Sequence, residues 1–135
     1  LVVLLAAGLS VLLAWRYVPV FTEQSSSFYA LLLLATAGMM FLGKSVELIT
    51  MFVSLEILSV SLYILTGFNR HQLASAEGAL KYFLLGAFSS GFFLYGMALL
   101  YADTGSVKLA DIAASGTGGF LILAGLALML VGFAF

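Results

Sequence analysis

Residues 46–68 read VELITMFVSLEILSVSLYILTGF, an apolar run with one carboxylate, Glu56, in its middle. A membrane-crossing helix needs about 20 predominantly apolar residues, and this run supplies them. Strands of a membrane barrel would instead show alternating segments of about ten residues. Lipid demands that backbone N–H and C=O groups be satisfied inside the segment, so a continuous apolar run becomes a helix. A carboxylate at bilayer depth costs roughly 2.5–3.5 kcal/mol on insertion scales. Such a residue faces a protein interior or a water path, and its default reading is functional.

The rest of the chain follows the same pattern. Of its 135 residues, 64% are hydrophobic and 8% are charged, where soluble domains carry about 25% charged residues. The composition is that of an integral membrane protein with an all-α fold. A net charge of −1 and the lack of any basic patch exclude nucleic acid as a partner. There are no cysteines and one histidine, so a thiolate iron–sulfur or zinc site within the chain and a disulfide framework are both excluded. No cofactor or metal is expected in this chain, and electrons of any coupled redox reaction run elsewhere. The chain opens on Leu1 and reaches Phe135 within a hydrophobic run, which predicts a longer polypeptide. Its apolar start lacks the basic n-region and the small-residue cleavage site of a signal peptide.

Working outward from 46–68 gives about five transmembrane helices in a single transmembrane domain over 1–135, at about 1–18, 27–43, 46–68, 75–102 and 118–135. The joints are FTEQSSS (21–27), GKS (43–45), NRHQLA (69–74) and DTGSVKLADIAASGTG (103–118), the last read as the longest loop. GKS is tight enough for a helical hairpin. Trp15, Tyr17, Phe28, Tyr29, Phe68 and Tyr101 stand at segment ends, where an aromatic belt meets the headgroups. Joints 21–27 and 69–74 share one side, with Arg16, Arg70, His71 and Lys81 towards it. Joints 43–45 and 103–118 share the other, with Lys44 and Lys108. The small excess of positive charge puts the first side in the cytoplasm.

Glu56 lies about 15 Å from one end of its run and about 18 Å from the other, near the midplane. Ser59 and Tyr63, three and seven residues on, share its face and offer hydroxyls to a carboxyl group or a water chain. A structural carboxyl group bonded to a neighbouring helix is the competing explanation. Lys81 lies about 9 Å inside the fourth run, four residues after Glu77, the favoured orientation of an i,i+4 pair. A lysine so placed either handles protons or simply snorkels to the interface. The axial offset between Glu56 and Lys81 is about 9 Å on the antiparallel fourth run, too long for a direct salt bridge. A carboxyl group with a movable ammonium partner is nonetheless suited to ion transfer: a swing of about 2 to 3 pK units is roughly 3–4 kcal/mol. Moving one charge through 100 mV costs about 2.3 kcal/mol.

The remaining charges read as solvated. Glu23, Lys44, Asp103, Lys108 and Asp111 lie in joints or at helix ends, Glu47 suits a helix N-terminus, and His71 is a loop histidine. Gly118, Gly125 and Gly132 recur every seven residues, and Gly86 and Ser90 form a small-xxx-small pair; both predict close helix packing. The glycine-rich SGTGGF (115–120) follows no strand and lacks the Lys-Ser/Thr of a phosphate loop, so it does not bind nucleotide.

Three blocks carry a resemblance: FYALLLLATAGMMFLG (28–43), LITMFVSLEILSVSLYILTGFNR (48–70) and SAEGALKYFLLGAFSSGFFLYGMALLYADTGS (75–106). In their order and spacing they closely resemble the subunit N family of bacterial proton-pumping NADH:quinone oxidoreductase (respiratory complex I). SLEILS (54–59) and EGALKYFLLGA (77–87) are the most specific. The likeness covers about Phe28 to Phe135. That family belongs to the antiporter-like subunits, related to subunits of cation/proton antiporters.

The resemblance implies an antiporter-like fold of about 14 helices with inverted repeats, of which this chain holds helices three to seven. Glu56 corresponds to the family's buried glutamate on helix five, Lys81 to the lysine of helix six, and Glu77 to the acidic residue four before it. The family carries a central lysine directly after a stretch like LMLVGFAF (128–135), the partner expected for Glu56. Proton translocation is then the expected function, in a subunit of an enzyme complex and with no redox catalysis in this chain. NADH, FMN, iron–sulfur clusters and quinone are implied in partner subunits. The implied surroundings are other complex I membrane subunits, including a neighbouring antiporter-like subunit and small membrane subunits, in the bacterial inner membrane. Two alternatives stay open: a subunit of a cation/proton antiporter or membrane-bound hydrogenase, and a non-catalytic helical scaffold.

Overall fold

A computed structural model describes residues 1–21, 25–69, 71–116 and 118–134. Among these the chain is helical in six elements: α1 (Val2–Phe21), α2 (Ser25–Leu42), α3 (Leu48–Thr66), α4 (Leu73–Thr104), α5 (Leu109–Ala114) and α6 (Phe120–Ala134). α2, α3 and α4 are long and apolar enough to cross a membrane; α1 and α6 carry shorter apolar stretches. Leu12, Trp15 and Phe88 are each more than 70% exposed. In water such an apolar surface is a liability, whereas lipid covers it at no cost.

Polar side chains inside the spans are satisfied locally. Thr36 donates to the Leu32 carbonyl at 2.8 Å, Ser61 to Ile57 at 2.7 Å and Thr66 to Leu62 at 2.8 Å. Each bond returns to the carbonyl four residues back, so a hydroxyl rides in the apolar helix with its donor paired.

The helices differ from the sequence segments mainly at their ends. α4 runs over Leu73–Thr104, two residues further at each end than the apolar run 75–102. It stops where Gly105 takes a φ of +68°, a left-handed conformation that glycine adopts without penalty. The joint 103–118, read as loop, contains α5 over Leu109–Ala114. Ser106 builds its entrance, donating to Asp111 Oδ2 at 2.6 Å and accepting from the Lys108 amide at 3.2 Å. This local network orders a turn that hydrophobicity alone does not reveal. α6 begins at Phe120, so Gly118 lies before it, and a Cβ added at Gly118 would meet nothing within 4 Å.

The chain forms two compact units. One comprises Leu1–Gly43 and Ser54–Phe83, the other Lys44–Val53 and Leu84–Phe135. In the first, α2 meets α3 at Gly38, where an added Cβ would lie 2.9 Å from the Leu58 amide nitrogen and 3.0 Å from the Ser54 carbonyl oxygen. α3 and α4 run antiparallel from their shared joint. Ser75 donates to the Thr66 carbonyl at 2.6 Å, and a Cβ on Gly67 would come within 2.8 Å of the Ala79 Cβ.

In the second unit α4 packs on α6 through glycine. A Cβ on Gly96 would lie 2.6 Å from the Gly125 carbonyl oxygen, and one on Gly132 would lie 2.8 Å from the Phe93 Cβ. Gly125 and Gly132 thus make the close approach that their spacing predicts. Ser89 also donates to the Gly132 carbonyl. Phe93 is 2% exposed; it stacks on Phe52 and meets Phe133 edge-on. Two backbone bonds, Leu48 N–H to the Val107 carbonyl and Leu109 N–H to the Val46 carbonyl, form an antiparallel bridge between Glu47 and Lys108. Joints 43–45 and 103–118 are therefore on one side, as alternating helix directions require.

Candidate functional site

Glu56 is half-buried on α3, eight residues after Leu48 and ten before Thr66. With a rise of 1.5 Å per residue it is about 12 Å from one helix end and about 15 Å from the other. Helical spacing brings Ser59 and Tyr63 to its side of α3. Ser59 and Tyr63 share a side-chain hydrogen bond, and Tyr63 lies close enough to the Glu56 carboxylate to feel its charge. The three polar groups form a column along one face, with the carboxyl group at its deep end.

The opposite wall of this column is aromatic. The ring of Tyr63 meets Tyr82 edge-on, with centroids 4.7 Å apart and planes at 87°. It meets Phe83 at 5.8 Å and 82°. Edge-to-face pairs place the positive rim of one ring on the negative face of the other. Tyr82 and Phe83 belong to the same face of α4 as Ser75 and Ala79, the face packed on α3.

Lys81 projects elsewhere. It pairs with Glu77 at 2.5 Å, and the two side chains are 70% and 59% exposed. The register between α3 and α4 sets its depth relative to Glu56. Tyr63 is level with Tyr82; Glu56 lies seven residues deeper on α3, and Lys81 one residue shallower on α4. The offset is eight residues of rise, about 12 Å. Lys81 and Glu56 are thus separated both in depth and in direction. The structure gathers Glu56, Ser59, Tyr63, Tyr82 and Phe83, and leaves Lys81 and Glu77 as a second polar group on another face of α4.

Tyr82 and Phe83 were not singled out in the sequence. Their signal was the spacing 75, 79, 82 and 83, which marks one face of α4, but nothing in the sequence reveals which helix that face meets. Among the described residues no three His, Asp or Glu side chains converge to hold a metal ion.

A chain built of apolar helices, three of them long enough to cross a membrane, is a multi-pass membrane protein in class. Residues 45–135 match the model of the family described as NADH:quinone oxidoreductase/Mrp antiporter, TM, and the chain belongs to that family. It is 45% identical to NADH-quinone oxidoreductase subunit N of Trichlorobacter lovleyi, over 100% of this chain and 29% of that protein. It is 52% identical to the subunit N of Gemmatimonas aurantiaca, over 78% of this chain and 21% of that one. The chain therefore spans less than a third of the length of these relatives. Among solved structures it resembles a chain of respiratory complex I from Thermus thermophilus, with 45% identity and a TM-score of 0.72 over 80% of this chain and 24% of that chain. It also resembles a chain of an archaeal membrane-bound sulfane sulfur reductase, with 34% identity and a TM-score of 0.75 over 79% of this chain and 22% of that chain.

Proposed function

We propose that this chain is part of a membrane subunit of a bacterial NADH:quinone oxidoreductase and translocates protons across the inner membrane. In this reading Glu56 is the proton-carrying group, Ser59 and Tyr63 support it, and Lys81 with Glu77 forms a second charged station. NADH oxidation, flavin and iron–sulfur electron transfer and quinone reduction belong to partner subunits. Coupling reaches this chain through neighbouring membrane subunits, an adjoining antiporter-like one among them.

The observation that carries the reading is the polar column, because a carboxylate at mid-depth in a membrane helix reads by default as functional. A hydroxyl accepts a proton on one lone pair and releases its own, so Tyr63 and Ser59 pass a proton towards or away from Glu56 without holding net charge. A carboxyl group exchanges its proton as its hydration and its charged neighbours change. Changes in hydration and pairing driven from elsewhere are then enough to load and unload such a site.

The test is Glu56→Gln in the full-length subunit within the assembled complex. The amide keeps the shape and hydrogen-bonding capacity but carries no proton. NADH:quinone turnover in an intact complex with fewer protons moved per NADH is the expected outcome. Unchanged proton stoichiometry refutes the role. A second reading, a subunit of a cation/proton antiporter or of another respiratory membrane complex, is favoured by the likeness to the archaeal sulfane sulfur reductase chain. Purification of the native assembly separates the two: NADH-oxidising partner subunits support the first, and other electron-transfer partners or none support the second.

A further inference from the structure

Taking the proposed proton-carrying role of Glu56 as its basis, we infer that Tyr82 and Phe83 of α4 act as a positioning pair that holds the Tyr63 hydroxyl at Ser59 beside Glu56. The Tyr63 ring receives two edge-to-face contacts from consecutive residues of α4, at 4.7 Å and 87° from Tyr82 and at 5.8 Å and 82° from Phe83. Contacts so close to perpendicular fix both the tilt and the position of a ring. A helical tyrosine points back along its helix, so Tyr63 reaches towards Ser59 and the deeper Glu56. Its hydroxyl is bonded to Ser59. Without the pair, the ring is free to leave that bond while the helix stays intact.

The contact also fixes what Tyr82 does not do. By the same directional rule, Tyr82 on the antiparallel α4 points away from Glu56, towards the joint between α3 and α4. Its ring meets the Tyr63 ring at 87°. The role is therefore mechanical, and a phenylalanine fulfils it. Lys81, the neighbour of Tyr82, is 70% exposed and takes no part in the pair.

The test is a set of substitutions in the full-length subunit, assembled in native membranes, reading protons moved per NADH oxidised. Tyr63→Phe removes the hydroxyl and is expected to lower the ratio measurably. Tyr82→Phe keeps the ring and is expected to match the unmodified complex. Tyr82→Leu removes the ring and is expected to lower the ratio as Tyr63→Phe does. Combined with Tyr63→Phe, Tyr82→Leu is expected to add nothing, since the group it positions is already gone. A full additional loss in the double variant overturns the inference, as does a loss in Tyr82→Phe alone, which would make the Tyr82 hydroxyl the working group. If Tyr82→Leu fails to assemble, Phe83→Leu carries the same comparison. Glu56→Gln runs alongside. A loss there with an unaffected Tyr82→Leu overturns the positioning pair only. Full pumping in Glu56→Gln overturns the reading on which the pair rests.

Discussion

The glycine whose added Cβ would lie nearest a neighbouring helix yields a stability prediction with an internal control. Gly96 and Gly91 both lie inside α4, five residues apart. A Cβ on Gly96 would stand 2.6 Å from the Gly125 carbonyl oxygen, 2.8 Å from the Met129 Cγ and 2.9 Å from the Met129 nitrogen. Two of those atoms are backbone and cannot swing away. Carbon–oxygen contacts between packed helices settle at about 3.3–3.6 Å, so α4 and α6 must part by about 0.7 Å. A gap of that size forfeits about a quarter to a half of each atom pair's dispersion energy. Some twenty pairs at about 0.1–0.2 kcal/mol each then lose on the order of 1 kcal/mol. Strain from the inserted methyl brings the expected loss for Gly96→Ala to about 1–3 kcal/mol. The bond from Ser89 to the Gly132 carbonyl is strained in the same movement. At Gly91 an added Cβ meets nothing within 4 Å. Gly91→Ala therefore gains helix propensity, about 0.8–1 kcal/mol in water, with no clash to offset it. The assay is denaturant unfolding of the full-length subunit in detergent, with the abundance of assembled complex in membranes as a second reading. Gly96→Ala as stable as Gly91→Ala would refute the packing argument.

Further outcomes are expected. Glu56→Gln lowers protons per NADH in an assembled complex and leaves NADH:quinone turnover measurable; vesicle acidification against NADH consumption reads both. Lys81→Met gives a smaller pumping defect. Its exposed i,i+4 pair with Glu77 contributes no more than about 0.5 kcal/mol to the fold, so loss of assembly would instead reveal a structural role. Ser106→Ala breaks the bonds to Asp111 Oδ2 and the Lys108 amide. It costs about 1 kcal/mol locally and speeds hydrogen exchange at the Leu48 and Leu109 amides, and unchanged exchange there would show that the bridge holds without it.

What the sequence reveals follows from what the bilayer demands. α2, α3 and α4 are legible because lipid requires long uninterrupted apolar runs, and no other secondary structure satisfies their backbones. Glu56, Ser59 and Tyr63 are legible because their spacing lies within one helix. α5 is not, because its order comes from Ser106, Asp111 and the bridge to Glu47, partners dispersed over sixty residues of sequence. Gly38 and Gly96 are single small residues, and only the arrival of a second helix distinguishes them from Gly91, which faces open space. Tyr82 and Phe83 belong to the same class: their role depends on the register between α3 and α4, which composition does not encode.

That register also narrows the mechanism. Helix lengths alone put Glu56 and Lys81 about 9 Å apart in depth, and the contact of Tyr63 with Tyr82 makes the separation about 12 Å. Closing it by sliding α3 along α4 needs more than two helical turns, at 5.4 Å per turn. The slide would break the Ser75 bond to the Thr66 carbonyl and drive Gly67 off its seat against Ala79. Packed helices shift past one another by about 1–2 Å in ordinary transitions. Glu56 and Lys81 therefore do not exchange a proton by direct approach within this fold. Under the proposed function, transfer between them needs intermediate groups, and the hydroxyls of Ser59 and Tyr63 stand on the Glu56 side. Under the proposed role of Glu56, Tyr63→Phe is therefore expected to lower pumping in an intact complex.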